Sequence, residues 1–226
     1  MAARFALYYA PAIDDPLHAA ASCWLGRDAA TNAQCAQPKI PEIAAITRDA
    51  GSYGFHATLK PPMRLRDGVG WDDVLAGVQA VAATVPAFAL PPLWVADLHG
   101  FLALRETVPS PELQALSDIC VAGLDHLRRP AEADELARRR NGRLTLAEDA
   151  NLLRWGYPYV FATWFFHMTL TRRLSADEAA SIRPAATAHF AASIGRPRCV
   201  SDICIFRQPA AGAPFSIAAR VPLQSG

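Results

Sequence analysis

Two short segments of the chain spell nearly the same thing: Phe55-His56-Ala57-Thr58-Leu59 and Phe166-His167-Met168-Thr169-Leu170, 111 residues apart. In a β-strand successive side chains point to opposite faces. His56, Thr58 and Lys60 therefore share one face of the first segment, and His167, Thr169 and Thr171 one face of the second, with Phe55, Ala57, Leu59 and Phe166, Met168, Leu170 opposite. Each strand buries an apolar face and presents an imidazole one step from a hydroxyl. A single His-x-Thr carries little weight, because a lone strand histidine is more often a hydrogen-bonded structural residue. Two copies in matched apolar frames form a pattern, and a cleft between them would hold two titratable bases and two hydroxyl donors, the equipment for acid–base chemistry on a small anion.

The elements that must position these strands follow from periodicity and punctuation. Arg4–Tyr9 reads as a strand, and Asp14-Asp15-Pro16 caps a helix running to Leu25, stopped by Gly26. Residues 27–52 read as irregular, with Pro38 and Pro41 limiting regular structure. The first motif strand is expected to end at Pro61-Pro62. Apolar residues at helical spacing predict a helix over Asp72–Val85. A hairpin, Leu93–Leu98 and Phe101–Arg105, turns at His99-Gly100. A helix begins at Ser110-Pro111-Glu112, and residues 130–156 read as charged and helical up to Trp155-Gly156. Beyond the second motif, Ser175-Ala176-Asp177-Glu178 has capping-box spacing for a last long helix, and strands near Val200–Phe206 and Phe215–Val221 close the chain.

Strands and helices mix without regular βα alternation, so the fold class is α+β, in a single domain over 1–226. Each motif strand is followed by a helix and then a strand pair, which suggests a weak internal duplication with a pseudo-two-fold relation between two lobes, carrying the motif strands at about 55–60 and 165–171.

Composition narrows the chemistry. Of the 226 residues 52% are apolar and 19% charged, which is a globular composition, and the formal net charge is +1. So small an excess argues against long nucleic acid or an anionic membrane as partner, and any phosphate recognition has to be local. No segment has the roughly 18 uninterrupted apolar residues of a membrane span, and the short apolar run at the N-terminus reads as a first strand rather than a leader. The five cysteines are scattered, with no Cys-x-x-Cys, and read as buried free thiols of a reducing cytoplasm. There is no His-x-His, His-x-x-x-His, Gly-x-Ser-x-Gly or Walker A, which leaves no metal site, serine nucleophile or phosphate loop to propose.

The pair His56-Ala57-Thr58-Leu59 and His167-Met168-Thr169-Leu170 resembles the double signature of the 2H phosphoesterase superfamily. Tyr53-Gly54-Phe55-His56-Ala57-Thr58-Leu59-Lys60, Glu135-Leu136-Ala137-Arg138-Arg139-Arg140 and Trp155-Gly156-Tyr157-Pro158-Tyr159-Val160 are similar to one branch, encoded beside bacterial phosphonate-utilisation genes. The likeness runs from Arg4 to the final strands. It departs at Asp125-His126-Leu127-Arg128-Arg129-Pro130, where the branch usually has an aromatic before Arg and a small residue after it.

The resemblance implies two similar lobes, each an antiparallel sheet flanked by helices, meeting at a central cleft lined by both motif strands. It also implies a phosphoesterase needing neither metal nor cofactor, opening cyclic phosphodiesters or related linkages of a small phosphorylated sugar or nucleotide, such as a ribose cyclic phosphate. His56 and His167 would be the acid/base pair, in either order, and Thr58 and Thr169 would hold phosphate oxygens. Lys60, two steps past His56, reads equally as a cation near the phosphate or a solvated strand-end lysine, and Tyr53 and Tyr157 are candidates to stack on the substrate, with core packing favoured over that role. Arg138, Arg139 and Arg140 fan about 100° apart on a helix and cannot all face one site, so a solvated helix face is favoured, with one of them able to reach a phosphate. The rival readings are a binding protein that senses a phosphorylated ligand without turnover and a phosphodiesterase acting on RNA ends.

Overall fold

The computed structural model describes residues 3–140 and 144–224. Strand β1, Arg4–Tyr9, is almost wholly buried, and Asp15 then caps helix α1, Pro16–Leu25, whose end is closed by Gly26 in the left-handed region. Helix α2, Ile43–Tyr53, corrects the expectation of irregular chain over 27–52. Pro38 and Pro41 precede its first residue, and Ile43, Ile46 and Thr47 bury one of its faces.

Strand β2, Ala57–Met63, continues through Pro61-Pro62 instead of ending there. A proline removes one donor, and past Ala57 no partner among the described residues is paired to that edge of β2. Helix α3, Trp71–Ala82, stops short of Val85, and a three-residue strand, β3, Phe88–Leu90, follows. The hairpin is β4, Leu93–Leu98, and β5, Phe101–Glu106, turning through His99 and Gly100, both at positive φ. Then come helices α4, Pro111–Gly123, α5, Ala133–Arg139, and α6, Leu146–Trp155. The helical reading of 130–156 therefore splits in two, and its residues 141–143 lie outside the described residues. Strand β6, Met168–Arg173, carries the second motif and precedes α7, Ala176–Ile194. Strands β7, Arg198–Val200, β8, Asp202–Gln208, and β9, Ser216–Pro222, complete the chain.

Seven strands form one antiparallel sheet in the order β4-β5-β6-β2-β1-β8-β9, and β3 pairs with β7 separately. The order discloses the duplication. The series β1, α1, β2, α3, β3, β4 matches β5, α4, β6, α7, β7, β8, with β4 and β8 exchanged between halves: β4 pairs with β5, and β8 with β1. The fold is α+β with two pseudo-symmetric half-sheets, meeting where β2 lies beside β6.

The main hydrophobic core lies on the helix-covered side, where α4 packs on β2 and α2 on β6, and includes Trp24, Leu59, Phe166, Leu170 and Phe190. A smaller cluster, Ala6, Tyr8, Ala10, Ala29, Cys204, Phe206 and Phe215, lies against the other face. All five cysteines are free, but only Cys120 and Cys204 are buried, and Cys199 is exposed, against the expectation of five buried thiols. Among the described residues no helix is long and apolar enough to cross a membrane.

Candidate active site

Among the described residues the half-sheets are joined through one residue pair, Ala57↔Met168. Ala57 lies between His56 and Thr58, and Met168 between His167 and Thr169. Counting outward from that pair in an antiparallel ladder sets His56 across from Thr169 and His167 across from Thr58. With no further pairing the half-sheets part on either side, and a cleft of about 340 Å³ opens between them, lined by both histidines and both threonines. Tyr53, Tyr157, Tyr8, Arg4 and Arg139 also line it.

Each imidazole is held in the same way. His56 Nδ1 lies 2.8 Å from the Gly54 carbonyl, and His167 Nδ1 lies 3.1 Å from the Phe165 carbonyl, two residues back in both cases. A carbonyl oxygen only accepts, so in each ring Nδ1 carries the proton and donates it, and Nε2 is left as the titrating atom. Gly54 can turn its carbonyl this way because its φ is +78°, and a Cβ there would stand 2.4 Å from Ala29 Cβ.

Burial sets the electrostatics. The Tyr8 ring stacks on His56 with centroids 3.7 Å apart, and Phe165 tilts against His167 at 4.8 Å. Burial pushes His56 down to about 4, with His167 nearby lowering it further against the Gly54 hydrogen bond. His167 is also lowered, by burial first and then by the Arg105 guanidinium. Burial raises Tyr8 and Tyr157, each helped by Tyr53, so both phenols stay neutral hydrogen-bonding groups. Among the described residues neither Thr58 nor Thr169 Oγ1 has a hydrogen-bond partner, so both hydroxyls are open to a ligand in the cleft. The described residues gather no cluster of three or more His, Cys, Asp or Glu side chains of the kind that holds a metal.

Lys60 does not reach the cleft, which corrects its place in the phosphate-binding set. The β1–β2 register shifts between Leu7 and Tyr8: Thr58 pairs with Tyr8, but Lys60 pairs with Leu7 on the core side. This bulge turns Lys60 under the sheet. Its Nζ donates to the Val121 carbonyl at 2.8 Å and lies 3.8 Å from Asp125, and burial pushes it down to about 8. Thr171, at the matching position of β6, is turned inward by a second register shift and accepts from the Leu102 N–H at 3.0 Å. The bulges also free equivalent carbonyls, which helix side chains capture: Ser117 Oγ donates to Leu59 O and Trp24 Nε1 to Leu170 O, both at 3.0 Å.

Tyr53 and Tyr157 line the cleft. Of the arginine triplet, Arg139 turns to it, fixed by Glu135 at 2.9 Å and lying over the Tyr157 ring at 5.4 Å, whereas Arg140 turns away to Asp149 at 2.6 Å. Arg4 and Tyr8 were missed. Tyr8 lies between Leu7 and Tyr9 in the apolar run Phe5–Tyr9 of β1, and nothing in that run marks which aromatic meets a histidine.

The chain matches the family described as "Protein of unknown function (DUF1045)" over residues 58–216. It is 41% identical over 97% of its length to "Ribose 1,5-bisphosphate phosphokinase PhnN" of Janthinobacterium sp. (strain Marseille), and 35% identical over 95% to the protein of that name from Laribacter hongkongensis (strain HLHK9). The alignments take in 50% of each of these proteins, so the chain spans about half the length of the curated relatives it matches. Among solved structures it is similar to E. coli LigT complexed with 3′-AMP, at 12% identity and a TM-score of 0.43 over 99% of both chains. It is also similar to E. coli LigT complexed with NADP+, at 14% identity and a TM-score of 0.44 over 98% of this chain and 97% of that one.

Proposed function

The chain belongs to the DUF1045 family, and from its cleft we propose that it is a phosphoesterase that hydrolyses a cyclic phosphodiester, or a related phosphoester, of a small sugar or nucleotide without a metal. The observation that carries the reading is that His56 and Thr58 flank one side of the Ala57–Met168 junction and His167 and Thr169 the other, all four lining one cleft, with both imidazoles presenting Nε2. This arrangement supplies one proton acceptor, one proton donor and two hydroxyls for a single phosphorus centre.

In the proposed reaction a neutral histidine takes a proton from water through Nε2 as the water oxygen bonds to phosphorus. The other histidine, entering as the imidazolium, gives its Nε2 proton to the ester oxygen as the P–O bond to it breaks, and a phosphomonoester is released. Thr58 and Thr169 donate to the non-bridging oxygens, where charge builds up. Both histidines are neutral near pH 7 in the empty cleft, since burial lowers both. An anionic phosphate between them favours the protonated form of one, so the substrate itself charges the acid. The pseudo-symmetry allows either histidine either role, and the lie of the substrate decides.

A ribose phosphate is the first substrate class to screen, because the relatives' printed name attaches a ribose bisphosphate to proteins twice this length. The kinase activity in that name finds no support in this half: the two lysines, Lys39 and Lys60, follow Pro38 and Leu59, so no Gly-Lys-Ser/Thr phosphate loop exists here. The test is phosphorus NMR of 2′,3′-cyclic nucleotides and ribose cyclic phosphates incubated with the purified protein in EDTA. Conversion to a monoester supports the proposal. Tight binding without conversion marks a ligand sensor instead, and conversion that EDTA abolishes overturns the metal-free reaction.

A further inference from the structure

Arg4, Pro62 and Arg139 border two cavities at once. On one side they bound the histidine cleft. On the other they close a recess of about 230 Å³ whose wall carries six arginines: Arg4, Arg64, Arg128, Arg129, Arg138 and Arg139. Two carboxylates, Glu132 and Glu135, also line it. An excess of four positive charges is thus gathered in one recess of a chain whose formal charge is +1.

Part of this charge is locally answered. Arg139 pairs with Glu135 at 2.9 Å and Arg129 with Glu132 at 3.6 Å, while Asp125 holds Arg128 at 2.7 Å from beneath. Arg4 is aimed by a hydrogen bond from its Nε to Gln208 Oε1 at 2.7 Å. Arg138 has no carboxylate partner among the described residues. Neither motif histidine nor threonine reaches this recess, so the acid–base chemistry makes no use of it. Guanidinium groups converging on a small concavity match a tetrahedral oxyanion, to which each presents a planar fork of N–H donors.

We propose that this recess binds a second phosphate of the same substrate, one that is not attacked, so that the substrate class is a cyclic phosphate bearing a distal phosphomonoester. The inference rests on the phosphoesterase reading of the adjoining cleft and adds the identity of the substrate's far end. Arg4 and Arg139, standing in both cavities, bridge the reacting and distal phosphates. The chemistry selects phosphate over carboxylate, because at neutral pH a phosphomonoester carries a charge close to two and three acceptor oxygens.

Isothermal titration of matched ligand pairs tests this: adenosine 3′,5′-bisphosphate against adenosine 3′-monophosphate, and ribose 1,5-bisphosphate against ribose 1-phosphate. The bisphosphate of at least one pair should bind the wild-type protein about tenfold or more tighter than its monophosphate, the gain from charge-assisted contacts. Arg138→Ala and Arg129→Ala together should abolish most of that advantage, whereas Arg172→Ala should preserve it. Arg172 is a surface residue paired with Glu178 at 2.8 Å, so its loss removes a similar charge elsewhere. No advantage in either pair, or an advantage that survives Arg138→Ala and Arg129→Ala, overturns the proposal. The two readings fail separately. A protein that hydrolyses cyclic phosphates with no preference for a distal phosphate loses only the recess, and one that favours bisphosphates without hydrolysing any cyclic phosphate loses only the reaction.

Discussion

Ala57 and Met168 are the one residue pair joining the two half-sheets among the described residues, and each sits between a motif histidine and its threonine. The junction of the fold is thereby the centre of the site. Its two side chains point into the core at 0% exposure, so the four flanking polar residues turn to the cleft.

Thr58→Val and Thr169→Val keep the shape of the side chain and remove its hydroxyl. Each should lower kcat by roughly 10²-fold, the scale for one lost donor to a developing oxyanion. Steady-state kinetics on a cyclic phosphate checks this, and unchanged kcat in either variant removes that hydroxyl from the site. Urea denaturation should find the fold intact, since neither hydroxyl has an internal partner among the described residues.

The pH dependence carries a sign. Burial lowers both histidines below 6.5, His56 to about 4. In the free protein the optimum of kcat/KM should therefore lie on the acid side of 6.5, and that of kcat higher, because bound phosphate raises the histidines in the complex. A flat profile from pH 5 to 9 contradicts paired histidines. The same shifts predict stability. The folded-state values lie below the unfolded ones, so the unfolded chain binds more protons between them. The His56 contribution is full above about 6.5 and lost as pH falls toward about 4. Denaturant midpoints measured across that window should fall with pH.

Lys60→Met tests the corrected position of Lys60. The substitution keeps the apolar stem and leaves the Val121 carbonyl without its donor. It should destabilise the fold by about 1–3 kcal/mol while leaving KM for a cyclic phosphate within twofold. A large rise in KM with little loss of stability would return Lys60 to the substrate.

Gly54→Ala places a Cβ against Ala29 at a positive φ. It should cost about 1–3 kcal/mol in stability and lower kcat, because the Gly54 carbonyl orients His56. The pH profile separates the causes: a misaligned His56 moves the acid limb, whereas simple destabilisation scales the activity without moving it.

Much of this was legible in the sequence because it is written in short-range signals. Asp15, Ser110 and Ser175 cap their helices as read, and His99-Gly100 turns its hairpin. The motif phase holds from His56 to Leu59, which placed both His/Thr pairs in one cleft. It fails one residue later, at Lys60 and Thr171, because a bulge has no local sequence mark and its cost is met by distant groups such as Ser117 and Trp24. Helix α2 was hidden by the prolines before it, although Ile43, Ile46 and Thr47 carry its period. Tyr8, Arg4 and the arginine recess depend on strands and helices far apart in sequence, and only the assembled sheet brings them together.

The central claim is that His56 and His167 act as one acid–base pair, and the most direct test is kcat for His56→Ala and His167→Ala on the cyclic phosphate that the wild type hydrolyses best. Each variant should be slower by roughly 10²–10⁴, with the circular dichroism of the folded protein retained. Full activity in either variant would contradict the account.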